Sequence, residues 1–218
     1  MARKIIKKIP AKTIKQDLER YRKMAIKIGA TEAKVITSQM VFIDERVRAK
    51  CRYPVCKGYG TSINCPPFTP NIDEVRALIK RYAYGIFFKI EYPSELAVES
   101  KDKGKDSTRK LSQNRFANTR NEIIAKIEAE SFYDGYYFAL GYGGGTCKYT
   151  YCADTKCSAL TPGEHCKSPL KARPSMEAMG MDVFGMAASA GWEIYPIGKS
   201  TKSSEAPCAN TLGLILIQ

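Results

Sequence analysis

Two stretches of this chain repeat one cysteine spacing, and that repeat constrains the fold more than any other feature. Residues 51 to 67 read CRYPVCKGYGTSINCPP, and residues 152 to 169 read CADTKCSALTPGEHCKSP. Both carry C-x4-C-x8-C, which pairs Cys51 with Cys152, Cys56 with Cys157 and Cys65 with Cys166. Both end in proline: Pro66 and Pro67 in the first, Pro169 in the second. Two further cysteines complete the set of eight. Cys147 lies five residues before Cys152, and Cys208 stands alone in SSEAPCANT. A fold for this chain must therefore bring out two thiol-rich loops, each able to gather four sulfurs.

Compartment decides what such thiols are for. The N-terminal MARKIIKKIPAKTIKQ is positively charged but lacks the apolar stretch of a secretory signal. No apolar run is long enough to cross a bilayer. The reading is a cytoplasmic chain, where eight cysteines point to metal or catalysis rather than to disulfides. A chain of 218 residues buries a core without cross-links, so it is read as one domain over 1–218, with the cysteine loops 51–67 and 147–169 inserted in it.

Four thiolates suit either zinc or an iron–sulfur cluster. Structural zinc sites usually space their ligands by two to four residues and often include histidine. Here the second interval is eight residues, and His165 is the single histidine of the chain. Wider intervals suit a cluster whose irons are spread apart, and a Cys-Pro pair at the closing ligand is also found in bacterial ferredoxin loops. Two [4Fe-4S] clusters are the favoured cofactors, with zinc as the alternative. The metal-ligand candidates are Cys51, Cys56, Cys65 and Cys208 for the first site and Cys147, Cys152, Cys157 and Cys166 for the second. Short loop closure favours that local second set; the crossed arrangement, with Cys147 on the first cluster, is its rival.

The motifs C-x4-C-x2-YG-x4-CPP, the closing CKSP and the following RPSMEAMGMDV resemble a domain-of-unknown-function family described as predicted metal-binding proteins. The resemblance runs from about Cys51 to the C-terminus and covers Cys51, Cys56, Cys65, Cys152, Cys157 and Cys166. It implies metal binding and no particular reaction.

The remaining sequence alternates helix and strand patterns, an α/β or α+β fold with a mixed sheet flanked by helices. Helices are expected over 13–30, with Thr13 and Gln16 as a capping box; over 71–82, capped by Asn71 and Glu74; over 108–130; and over 175–191, capped by Ser175. Strands are expected at 33–37, 41–43, 84–92, 135–142, 192–197 and 211–217. Residues 93–107 read as a charged, mobile linker. Both cysteine segments are expected to be irregular loops that leave strands.

Other candidates weigh less. GYGGG at 141–145 lacks the Lys-Ser/Thr of a phosphate loop, so its glycines are read as allowing close backbone approach. Met176, Met179, Met181 and Met186 read as a core face. Tyr53, Tyr59, Tyr149 and Tyr151 read as packing residues with wetted hydroxyls. His165 beside Cys166 lacks an orienting third group for nucleophilic catalysis.

The net charge of +13, from 35 Lys and Arg against 22 Asp and Glu, favours an acidic partner. No RNA-binding aromatic motif accompanies it. Three functions follow: electron transfer through two clusters, with an acidic redox partner protein; an enzyme whose three-thiol cluster leaves one iron open as a Lewis acid or sulfur site; or a zinc module with a basic nucleic-acid-binding surface.

Overall fold

Strand β2, Tyr84–Tyr92, organises the molecule because it is apolar on both faces. Ile86, Phe88 and Ile90 point to one side, and Phe87 to the other; all are 5% exposed or less. Strands buried on two faces carry continuous apolar runs rather than an alternating pattern, which explains YGIFFKIEY. The computed structural model describes residues 2–98, 103–152, 155–198 and 200–218, with backbone alone for 103–110 and 112.

The chain opens with α1, Ala11–Ile28. Leu18, Tyr21 and Ala25 are buried on its inner face, with Ile14 and Ile28 packed beside them. The expected capping box does not form. The helix begins two residues before Thr13, after Pro10, whose carbonyl accepts from the Ile14 N–H. Proline suits a helix start because its fixed φ matches the first turn. Strand β1, Glu32–Thr37, then pairs with β2. The strand expected at 41–43 is reduced to one bridge, Ile43 to Met181. An unforeseen helix, α2 at Glu45–Arg52, follows; Asp44 caps it by accepting from the Arg46 N–H. Helix α3, Ile72–Ile79, has the expected box: Asn71 Oδ1 accepts from the Glu74 N–H at 2.9 Å, and Glu74 accepts from the Asn71 N–H at 2.7 Å.

Helix α4, Lys103–Tyr133, is longer than expected and takes in the end of the charged linker. The linker's residues 99–102 lie outside the described residues. Of the strand expected at 135–142, only β3, Leu140–Tyr142, pairs. Helix α5, Cys147–Tyr151, is short. The single helix expected over 175–191 is two pieces. Ser175 Oγ caps a turn by accepting from the Ala178 N–H, and Gly180 then adopts φ +78°, a left-handed conformation that ends it. Asp182 caps a new helix, α6 at Val183–Ser189. Residues 192–197 form no strand; Trp192 instead stacks on Phe87, ring centroids 4.9 Å apart. Strand β4, Ala209–Leu216, completes the sheet.

The sheet order is β1-β2-β4-β3, and every pairing is antiparallel. This is the α+β form of the expected fold. Helices α1 and α4 cover one face against Ile86, Phe88, Ile90 and Ile215. Helices α3 and α6 cover the other with Phe87, Leu214, Leu216 and the methionines 176, 179, 181 and 186, all 3% exposed or less. The methionines are core, as read from the sequence. Among the described residues no helix is long and apolar enough to cross a membrane.

The N-terminal strap is tied down by Asp17, which is 5% exposed. Arg3 donates to its carboxylate at 2.7 and 3.1 Å, and Tyr136 Oη at 2.8 Å. Burial alone would raise the Asp17 pKa; the hydrogen bonds from Arg3 and Tyr136 outweigh it and hold the carboxyl below its ordinary value. Its contribution to stability is therefore full above the unfolded pKa, ~3.9, and is lost as pH falls through the lower folded value. Asp17→Asn should cost about 2 kcal/mol at neutral pH and flatten the acid limb below pH ~4, read by urea unfolding across pH.

Candidate metal centre

The second cysteine segment leaves strand β3 through Gly143, Gly144 and Gly145, as expected, whereas the first follows no strand: a single bridge at Ile43 and helix α2 precede it. Cys51 lies in the last turn of α2, and Cys147 opens α5. Helical ends hold these first thiols of each set more firmly than an irregular loop would. The first segment then folds on itself. The Cys56 N–H donates to the Cys51 carbonyl at 3.0 Å, the Gly60 N–H to Pro66 at 2.7 Å, and the Cys65 N–H to Ser62 at 3.0 Å. The second is held by Thr146, which caps α5, and by Ser158 Oγ donating to the His165 carbonyl at 2.7 Å. Residues 153 and 154 of that loop lie outside the described residues.

The two segments meet although they are far apart in sequence. Ser62 Oγ and Cys147 Sγ are 3.3 Å apart, and Asn64 Nδ2 donates to the same sulfur at 3.5 Å. The Cys65 thiol donates to Thr146 Oγ1 at 3.4 Å. Gly58 permits this approach: a Cβ there would stand 3.3 Å from Cys65 Sγ and 3.4 Å from Thr146 Cβ. Tyr53 and Tyr149, 68% and 46% exposed, stand at the margin with their rings in solvent.

All eight cysteines are free thiols. Burial pushes the Cys51 pKa up, and the nearby Cys56 and Cys65 thiols add to the shift. Burial also raises Cys65. The bond to Thr146 opposes that shift, whereas Cys147, Cys56 and Cys157 reinforce it. Cys152 is raised by burial and then by Cys147, Cys157 and Cys166. The thiols thus act on one another in two overlapping groups, with Cys65 facing Cys147 and Cys157 where the groups touch.

Cys208 is differently surrounded. Burial raises its pKa first and the Glu91 carboxylate second, and Asn210 Nδ2 donates to its sulfur at 3.6 Å. Its neighbours in the chain do approach the first segment: Ala209 and Asn210 line a cavity of about 500 Å³ that Cys51 and Cys56 also line.

Backbone N–H groups reach two sulfurs, Gly58 to Cys56 and Ser168 to Cys166, each at 3.4 Å. Among the described residues no three His, Cys, Asp or Glu side chains converge closely enough to chelate one ion as they stand. A donor set made of thiols, supported by N–H···S bonds, fits the soft-ligand chemistry of zinc or of iron–sulfur clusters.

Fold and site together define a cysteine-rich α+β protein with paired thiol loops. The family model for predicted metal-binding proteins (DUF2284) matches residues 34–217, and the chain belongs to that family. No curated protein and no solved structure matches it.

Sequence patterns missed Arg120, Glu177 and Asn210, which line a second cavity beside the first. Arg120 had a signal: it falls on the apolar face of α4, between Phe116 and Ile123–Ile124, where a charge is out of place.

In the reduced, metal-free protein, iodoacetamide should modify Cys56, which is exposed, first. Cys65 should react last, because it is 7% exposed and its raised pKa keeps it protonated. Peptide mapping by mass spectrometry against time reads that order.

Proposed function

We propose that the protein carries two [4Fe-4S] clusters and moves electrons between partners. In this reading Cys147, Cys152, Cys157 and Cys166 hold one cluster. Cys51, Cys56 and Cys65 hold the other, with Cys208 as its fourth ligand. The observation that carries the reading is the meeting of two all-thiol loops through Ser62, Asn64, Cys65, Thr146 and Cys147. The short separation of Cys147 from Cys152 supports the local second set, and the approach of Cys147 to Ser62 and Asn64 keeps the crossed arrangement as its rival. Bound clusters would supply one-electron redox chemistry. The chain's own part is to exclude water, to hold the two groups adjacent, and to set their potentials through the N–H···S bonds to Cys56 and Cys166. The charge of +13 supports an acidic redox partner.

A second reading is favoured by the cavity. Cys51 and Cys56 open on about 500 Å³ of space, and Cys208 sits beside Glu91. With three thiol ligands, the first site would leave an iron facing that space. The protein would then be an enzyme using it as a Lewis acid or sulfur site.

Anaerobic purification with iron, sulfide and zinc analysis tests the metal. Iron with equimolar sulfide is expected; zinc alone would replace the reading with a zinc module. Cys56→Ser and Cys157→Ser should each lose about half the iron, since each set serves its own cluster. Loss of all iron in both would show one shared centre. In Cys208→Ser, unchanged iron, spectrum and potential would show that Cys208 is no ligand, leaving the first cluster with an open iron, as in the enzyme, or with Cys147 as its fourth ligand. A labile first cluster would select the four-thiol electron carrier.

A further inference from the structure

The cavity around Arg120 is built like a ligand site. It encloses about 310 Å³ and shares Tyr92, Gln113, Glu177, Asn210 and Leu212 with the larger space beside Cys51 and Cys56. Arg120 is 6% exposed. Its Nε and Nη2 donate to Asn121 Oδ1 at 3.2 and 3.1 Å, and its Nη1 donates to Thr211 Oγ1 at 2.6 Å. A guanidinium has five N–H donors in a planar fork, so two remain. Among the described residues no carboxylate lies within 4.0 Å of it. The Glu177 carboxylate on the same walls acts on it through space without a direct ion pair, and a buried arginine that stays charged is costly when no acceptor fills its free N–H groups.

Two acceptors on the same walls are also unfilled. Glu177 Oε2 and Asn210 Oδ1 are buried and have no hydrogen-bond partner among the described residues. The backbone makes room for the arginine: a Cβ on Gly144 would lie 3.2 Å from Arg120 Nη1. This gives part of GYGGG a purpose. Tyr92 and Phe116, stacked with centroids 4.6 Å apart, add an apolar wall.

We propose that this pocket binds a small carboxylate that also carries an amino or hydroxyl donor, an α-amino or α-hydroxy acid in chemical class. Its carboxylate takes the two free N–H groups of Arg120, the fork geometry that arginine offers carboxylates. Its donor takes Glu177 Oε2 and Asn210 Oδ1. The volume is at the small end for ligand pockets, which limits the occupant to few heavy atoms. The adjoining space places the far end of such a ligand toward Cys51 and Cys56. The pocket uses no thiol, so the inference stands whatever metal the loops hold.

Isothermal titration calorimetry on the full chain, purified anaerobically with its metal, tests it. The probes are glycine, glycolate, acetate and inorganic phosphate. Glycine or glycolate should bind at millimolar concentration or tighter, and acetate, which lacks the second donor, at least tenfold more weakly. Arg120→Gln should abolish binding. If that variant does not fold, Glu177→Gln decides instead, because its amide is nearly isosteric and the lost charge should weaken glycine at least tenfold while sparing acetate. Binding of phosphate without response to any carboxylate would overturn the proposal. So would silence from all four probes, or a folded Arg120→Gln that binds as the parent does.

Discussion

Everything in this molecule is arranged around a strand that must be covered twice. Because β2 is buried on both faces, neither helical layer is optional. Losing either would leave Phe87 or Phe88 in water, at roughly 2 kcal/mol or more for each large side chain. The thiol segments exploit that rigidity. Cys51 ends a helix packed against the turn that carries Met179, and Thr146 and Cys147 follow directly from β3 and its glycines. A fixed scaffold on both sides lets two long-separated loops meet within hydrogen-bonding distance.

The sequence was most legible where one local force decided the outcome. The span of β2 and the Asn71–Glu74 box of α3 were readable because aromatic run and capping chemistry act over few residues. It was least legible where tertiary packing overrode local pattern. Residues 192–197 look like a strand, yet Trp192 stacks on Phe87 and the segment joins no ladder. Residues 135–138 look like the start of one, but leave Tyr137 and Phe138 half exposed or more. Gly180 divides the expected methionine-rich helix because the turn needs positive φ, which apolar periodicity does not encode.

The same division holds for the site. Spacing alone separated the cysteines into sets, and the influence of Cys147 on Cys152 follows from closeness in the chain. The clasp between Ser62, Asn64 and Cys147 was not readable, since nothing in sequence relates residues that distant. Arg120 was visible as an anomaly on an apolar stripe, but its neighbours Glu177 and Asn210 come from other elements and carry no pattern.

The order β1-β2-β4-β3 has a consequence for biogenesis. On the ribosome β1 finds β2 early, but β3 has no hydrogen-bonding neighbour until β4 has been made. The second thiol segment is anchored to β3, so the clasp on Cys147 waits for β4 as well. The two thiol segments can therefore meet only once the last strand, Ala209–Leu216, has completed the sheet.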